Sequence, residues 1–550
     1  MLAPQIRQLI VEAIGRAQEV GQLPPVALPE VVVERPPSEE LGDYASSVAL
    51  KMARSARMAP MQIAGAISAN LRLPESISAV EVAPPGFLNF FLAPEWLQQQ
   101  VDVVLEAGPS FGRVDVGGGR SVQVEYVSAN PTGPLHIGAG RGAALGDTLA
   151  NVLDMAGYRV QREYYINDAG SRMEAFYASV YARYAQQFGL DVPVPEDGYP
   201  GEYLVDVARV LAERYGRAYL DRPREEAQRE LGREGMAIVL EGIRRDLDRM
   251  GVRFDNWYSE QSLYDRSLIQ QTLDLLRARG HVVEREGAVW FTAAGLGEDR
   301  ENVLVRSNGV PTYFLSDIAY HRDKFVTRGF DRVIDVWGAD HQGHVPRMKA
   351  AVKALGIDPE RLAIIIYQLV NLVREGRLVR MGKRTGAFVT LGEVLDEVGP
   401  DAVRYFMVAR SPDAMMDFDL GLARERSEKN PVYYVQYAHA RIASILRRAS
   451  DVDYREGDVR LLAAPVERSL MKKMLQLPEV VEGVAANLAP HPLPYYAQEL
   501  AGLFHVYYRD HRVLSEDVAL TKARLKLVAA YKQVLATTLR LIGVSAPEVM

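Results

Sequence analysis

The stretch with the most chemical content runs from Ser121 to Gly142. A β-type run, Val122-Gln123-Val124-Glu125-Tyr126-Val127, meets a Pro/Gly-rich segment, Ser128-Ala129-Asn130-Pro131-Thr132-Gly133-Pro134-Leu135-His136. A helical pattern then opens with Ile137-Gly138-Ala139-Gly140-Arg141-Gly142. A strand that turns into a helix in this way gathers unpaired N–H groups and the positive end of the helix dipole at one point, where an anion is stabilised. Glycines in the first helical turns let a phosphate or a planar base come close to the backbone. On its glycines alone, the segment reads equally well as a tight strand-to-helix turn without a ligand. A second candidate is Arg380-Met381-Gly382-Lys383-Arg384-Thr385-Gly386. A cation on a glycine-flanked loop can close over a polyphosphate and neutralise charge developing in a transition state; standing alone, the segment reads more readily as a basic surface loop. His341 and His344 have a His-x-x-His spacing, but with no cysteine in the chain and no third ligand nearby in sequence, no metal site is expected.

These residues need a frame. Ser121 to Val127 as a strand and Gly138 to Met155 as a helix make the start of an α/β domain, with the ligand crevice beyond the carboxyl end of the strand. Strand and helix patterns alternate again from about Gly280 to Val408, with strands expected at Arg332 to Val336 and Ala363 to Tyr367. A charged helical stretch over about 185–250 reads as an insertion between the two halves. Residues 1–112 mix helical patterns with strand-like runs (Val31 to Val33, Phe87 to Leu92) and end near Val116-Gly117-Gly118-Gly119. From Asn430 onward the pattern is helical, with amphipathic runs at Tyr433 to Arg448 and Thr521 to Ile542. The expected fold is therefore multidomain: an N-terminal α+β domain over 1–112, a Rossmann-like α/β domain over 113–429 and a C-terminal helical bundle over 430–550.

Bulk composition sets outer limits. A chain of 550 residues is too long for one ordinary domain. The absence of cysteine excludes disulfides and thiolate zinc sites. A net charge of −7 argues against a protein that coats DNA or RNA non-specifically, although residues 430–550 carry an excess of roughly three positive charges. The first twenty residues alternate apolar and charged side chains at helical spacing, unlike a signal peptide. The longest apolar runs are too short to span a bilayer. A cytoplasmic protein without membrane contact is expected.

The order of residues in the glycine-rich turn resembles the His-x-Gly-His signature of class I aminoacyl-tRNA synthetases, present here as His136-Ile137-Gly138-Ala139. Ser128 to His136, and Arg162-Glu163-Tyr164-Tyr165-Ile166-Asn167-Asp168-Ala169-Gly170, are similar to the bacterial arginyl-tRNA synthetase family specifically. The Lys383 segment resembles the degenerate Lys-Met-Ser-Lys-Ser loop of that family. Asn430 to Arg441 and Leu541 to Met550 resemble the start and end of its helical anticodon-binding domain, and Gly86 to Phe91 part of its extra N-terminal domain. The resemblance implies an enzyme that activates L-arginine with ATP and Mg²⁺ and loads it onto tRNA(Arg), with tRNA bound before activation, acting as a monomer. It assigns His136 and Lys383 to catalysis. His136, Gly138, Ala139, Gly140, Met381, Lys383 and Arg384 would contact ATP. Glu125, Asn130, His136, Tyr313, Asp317 and His341 would hold arginine. Asn89, Tyr437 and Met550 would contact the tRNA. A guanidinium needs planar carboxylate acceptors in a fork, the role given to Glu125 and Asp317. If Tyr313 and Asp317 are helical, their i, i+4 spacing puts both on one face.

One departure stands out: the second signature histidine is Ala139, which removes a phosphate donor. Arg141 and His341 are candidate replacements. The other readings are a synthetase for another amino acid, a related nucleotidylyltransferase, or a non-catalytic tRNA-binding paralogue.

Overall fold

The computed structural model describes residues 2–293, 295–297, 301–379 and 389–550. At its centre is a parallel five-stranded sheet formed by β1 (Ser121–Tyr126), β2 (Arg159–Ile166), β3 (Asn256–Ser259), β4 (Arg332–Gly338) and β5 (Leu362–Tyr367). Their spatial order is β5-β4-β1-β2-β3. The chain winds outward from β1 in one direction through β2 and β3, and in the other through β4 and β5. The switch point, where a ligand crevice opens, lies between β1 and β4. The sequence placed β1 and the helix after it, α1 (Ile137–Met155), within a residue or two.

Alternation along β1 gives it two unlike faces. Val122, Val124 and Tyr126 are fully buried in the same apolar cluster as Leu145, Leu149 and Leu153 of α1. Gln123 and Glu125 point to the other face, where Glu125 stands in register between Glu163 of β2 and Asp335 of β4. Parallel strands covered on both faces are usually apolar throughout, so a row of three buried acids is a departure that must be compensated. The compensating groups come from α2 (Tyr313–Arg322) and the π-helical turn that continues it over Asp323–Thr327.

Between β2 and β3 lie helices Ser171–Gln186, Tyr203–Tyr215 and Arg224–Arg249, so the helical stretch read at about 185–250 begins earlier. A three-stranded antiparallel sheet (Val282–Arg285, Ala288–Phe291, Asn302–Val305) precedes α2. In the N-terminal region Phe87–Leu92 is the central strand of an antiparallel sheet, between Tyr44–Ser46 and Ile77–Ala83. Val31 to Val33, expected as a strand, is not one; only Glu34 makes a bridge, to Ala45. The C-terminal region is helical, as the pattern predicted, with α3 (Pro431–Arg448), α4 (Pro492–Asp510) and α5 (Val518–Ile542) as its longest helices.

One buried guanidinium ties these regions together. Arg404 has no exposed surface and donates to the Ile542 carbonyl at the end of α5 (2.7 Å), the Met250 carbonyl after the inserted helices (3.0 Å) and Asp147 of α1 (2.6 Å). Thr148 and Asn151 of α1 also donate to the Ile542 and Leu541 carbonyls, each at 3.3 Å.

Candidate active site

The crevice begins where β1 ends. Val127 and Ser128 take left-handed backbone conformations (φ 69° and 39°), an unfavourable choice for a β-branched valine. The turn is held by its neighbours: Ser128 Oγ donates to Glu125 Oε1 (2.9 Å) and accepts from the Tyr165 N–H (3.1 Å), and the Ala129 carbonyl accepts from the Tyr164 hydroxyl (2.8 Å). Asn130 is exposed beyond this lock.

His136 caps α1. Its Nδ1 accepts from the Ala139 N–H (3.3 Å), so the ring proton of the neutral imidazole sits on Nε2, a donor open to the crevice. Burial in the cleft lowers the His136 pKa against the pull of Asp340, although the ring keeps exposed surface. A Cβ on Gly138 would stand 2.9 Å from the His136 ring, so the capping geometry itself calls for glycine. Gly140 and Gly142 have packing reasons as well. A Cβ at Gly140 would meet Leu391 at 2.8 Å, and one at Gly142 would meet the Tyr367 ring at 3.0 Å. Ala139 is buried. Arg141 is not a replacement donor. It is fully buried and spends its guanidinium on the carbonyls of Gln368 (2.7 Å) and Ser411 (2.9 Å), and burial depresses its pKa to about 10. His341 remains available: its side chain is 52% exposed, just past β4, 3.5 Å from Asp340.

Met381, Lys383 and Arg384 lie outside the described residues. The chain that follows them is pinned to the His136 turn. Thr390 bridges His136, and the Leu391 N–H donates to the Leu135 carbonyl at 2.7 Å. Thr390 also starts helix Leu391–Val398 with a reciprocal capping box to Glu393.

Tyr313 and Asp317 share one face of α2, as the spacing implied. The Tyr313 ring is half exposed beside Gly170. Asp317 lies close enough to Glu125 to feel its charge. Burial, reinforced by Glu125 and only partly offset by His321 and Arg347, raises the Asp317 pKa to about 7. A further acid, Glu260, was missing from the sequence reading. It follows β3, is 2% exposed, and its Oε2 has no hydrogen-bond partner among the described residues. Burial and the charge of Asp317 push it up to about 8. Its signal in sequence was slight, a lone glutamate more than fifty residues from its nearest partner. Glu125 thus bears on Asp317, and Asp317 on Glu260, so the three acids lie within electrostatic reach of one another.

The candidate tRNA contacts lie far from this crevice in sequence and element. Tyr437 stacks on Tyr433 (5.8 Å between ring centroids), with the Arg441 guanidinium 4.4 Å from its ring. Met550, half exposed, lines a cavity of about 670 Å³ with Arg424, Arg426 and Tyr433. Asn89 sits mid-strand at 5% exposure, which leaves it little surface to offer.

Three family models tile the chain: the arginyl-tRNA synthetase N-terminal domain over 4–92, the class I (R) tRNA synthetase catalytic domain over 100–421, and the DALR anticodon-binding domain over 435–550. The chain belongs to the arginyl-tRNA synthetase family. Arginine–tRNA ligase of Dehalococcoides mccartyi strain CBDB1 is 50% identical to it over 551 residues, covering 99% of each chain. That of Desulforamulus reducens is 48% identical over 544 residues, covering 98% of this chain and 97% of its own. Among solved structures, Thermus thermophilus arginyl-tRNA synthetase superposes with a TM-score of 0.78 at 27% identity over the whole of both chains. These full-length family matches give the crevice its frame: a class I catalytic domain between the family's N-terminal domain and its helical DALR domain. Among the described residues no helix is long and apolar enough to cross a membrane.

Proposed function

We propose that this protein activates L-arginine with ATP to arginyl-adenylate and transfers the arginyl group to tRNA(Arg), releasing pyrophosphate and AMP. The observation that carries the substrate is the linked set of acids Glu125, Asp317 and Glu260 beyond the carboxyl ends of the strands. Asp317 and Glu260 have pKa values raised to about 7 and about 8 because each is buried near another acid. A guanidinium supplies the missing charge and five donors in a planar fork. Glu125 and Asp317 take that fork, Tyr313 packs beside it, and Asn130, His136 and His341 serve the α-amino and carboxylate end.

The arginine carboxylate, already ionised, attacks the α-phosphorus of ATP, and pyrophosphate leaves. A tRNA ribose hydroxyl then displaces AMP from the adenylate. The first step requires no general base; positioning and fixed positive charge carry it. His136 Nε2–H and the N–H groups at Gly138, Ala139 and Gly140 meet the nucleotide. Lys383, seven residues before the pinned Thr390, is within chain reach of it and acts with Met381 and Arg384. Mg²⁺ takes most of its ligands from phosphates and water plus one or two carboxylates; exposed Asp340 suits that donor set. Tyr437 and Met550 contact tRNA, the domains divide near 112 and 430, and the protein works in the cytoplasm as a monomer.

Aminoacylation with each of the twenty amino acids, total bacterial tRNA, ATP and Mg²⁺ tests this reading: arginine alone is charged. Charging of another amino acid would overturn the pocket, and tRNA binding without charging would favour the binding-only reading that Ala139 motivates. Pyrophosphate exchange at full rate without tRNA would sink the expectation that tRNA must bind first.

A further inference from the structure

The row Asp335–Glu125–Glu163 places three carboxylates side by side on adjacent buried strands. Like charges this close cannot all stay ionised without cations among them. Glu163 has one: Arg328 donates to both of its oxygens, and Tyr320 and Asn256 add bonds at 2.5 and 2.6 Å. The other two acids share Lys324. Its ammonium has no exposed surface and donates to Glu125 Oε2 (2.5 Å) and Asp335 Oδ1 (2.8 Å), while lying 4.2 Å from the centroid of the Tyr320 ring. Asp335 accepts again, on Oδ2, from His321 (2.8 Å), whose other ring nitrogen faces the Asp317 carbonyl (2.7 Å). Asp317, His321, Lys324 and Arg328 follow one another at intervals of four, three and four residues, a single helical stripe turned toward the sheet.

Within the arginine reading given above, on which this rests, we propose that Lys324 is a positioning residue that sets the specificity of the amino-acid pocket. It pairs with Glu125 and, with Ser128 on Oε1, fixes its carboxylate, leaving the free lone pairs of both oxygens for the ligand. Its charge also offsets part of the negative charge that the acids gather around the pocket. Lys324 touches neither arginine nor ATP; it acts through Glu125.

The test is arginine-dependent pyrophosphate exchange with tRNA present, on the full-length protein and the variants Lys324→Met, Glu125→Gln and the double variant. Lys324→Met should raise the KM for arginine about tenfold or more while the KM for ATP changes less than about twofold. The double variant should be no worse than the poorer single one, because without the Glu125 charge the lysine has nothing left to position. An unchanged arginine KM, equal rises in both KM values, or multiplying defects in the double variant would each overturn the proposal. If Lys324→Met does not fold, Lys324→Arg replaces it: the cation is kept but displaced, and the same arginine-only KM rise supports the role while a wild-type KM overturns it. Wild-type protein that activates a different amino acid would instead overturn the functional reading, an outcome distinct from arginine activation that is indifferent to residue 324.

Discussion

The chemistry of the pocket rests on groups whose charge is unresolved until a ligand arrives. Asp317 titrates near 7 in the free protein, and only its ionised form pairs with a guanidinium. In the proposed pocket arginine must displace a proton below that pH, so binding weakens as pH falls. The arginine KM should therefore drop as pH rises from about 6 to about 8 and then level off. In Asp317→Asn the step near 7 should vanish, and the arginine KM should rise roughly ten- to hundredfold, the loss of one charge-assisted hydrogen bond worth about 1.5–3 kcal/mol. A KM that rises with pH in the wild type would contradict the assignment. At this scale the sequence was partly legible. That Tyr313 and Asp317 share one helix face was legible from their spacing. Lys324 and Arg328 were not legible, because a charged stripe on a helix ordinarily faces water, and here it faces the sheet. Arg141 misled for the converse reason: nothing in its neighbours' types betrayed that it would be sealed under Gln368 and Ser411.

Among the elements, α1 and β1 matter most, and their closeness depends on small residues. A Cβ at Gly146 would stand 2.2 Å from the fully buried Tyr126 ring. Gly146→Ala should destabilise the protein by about 1–3 kcal/mol, because overpacking outweighs the gain in helix propensity of about 1 kcal/mol. Gly483, inside helix Leu477–Asn487, has open space around it, and Gly483→Ala should stabilise by about 0.5–1 kcal/mol. Denaturant unfolding of the two variants should give opposite signs; equal signs would refute the packing account. The strand–turn–helix unit was readable because alternation, turn residues and helical period follow one another without interruption. The strand order was not, since the register that brings Asp335 beside Glu125 joins segments two hundred residues apart. Val31 to Val33 failed as a strand although its residues favour one, as local preference yields to the availability of a partner.

For the whole molecule, Arg404 is the joint. Replacing it with methionine leaves Asp147 half-paired, takes the guanidinium donor from the Met250 carbonyl and leaves the Ile542 carbonyl with the Thr148 hydroxyl, a loss of about 3–5 kcal/mol by comparison with other broken buried pairs. A lowered melting temperature should accompany reduced stimulation of pyrophosphate exchange by tRNA; a variant as stable as wild type would show that the joint is incidental. The joint also acts in both directions. The helix that His136 caps and the last helix of the tRNA-facing domain share one guanidinium, so any shift that tRNA imposes on the second is felt by the first. Thermodynamic reciprocity then requires that arginine and ATP tighten tRNA by the same factor by which tRNA tightens them. A tRNA should leave the ligand-filled protein more slowly than the empty one, with the catalytic crevice acting as a clasp on a molecule held mainly elsewhere.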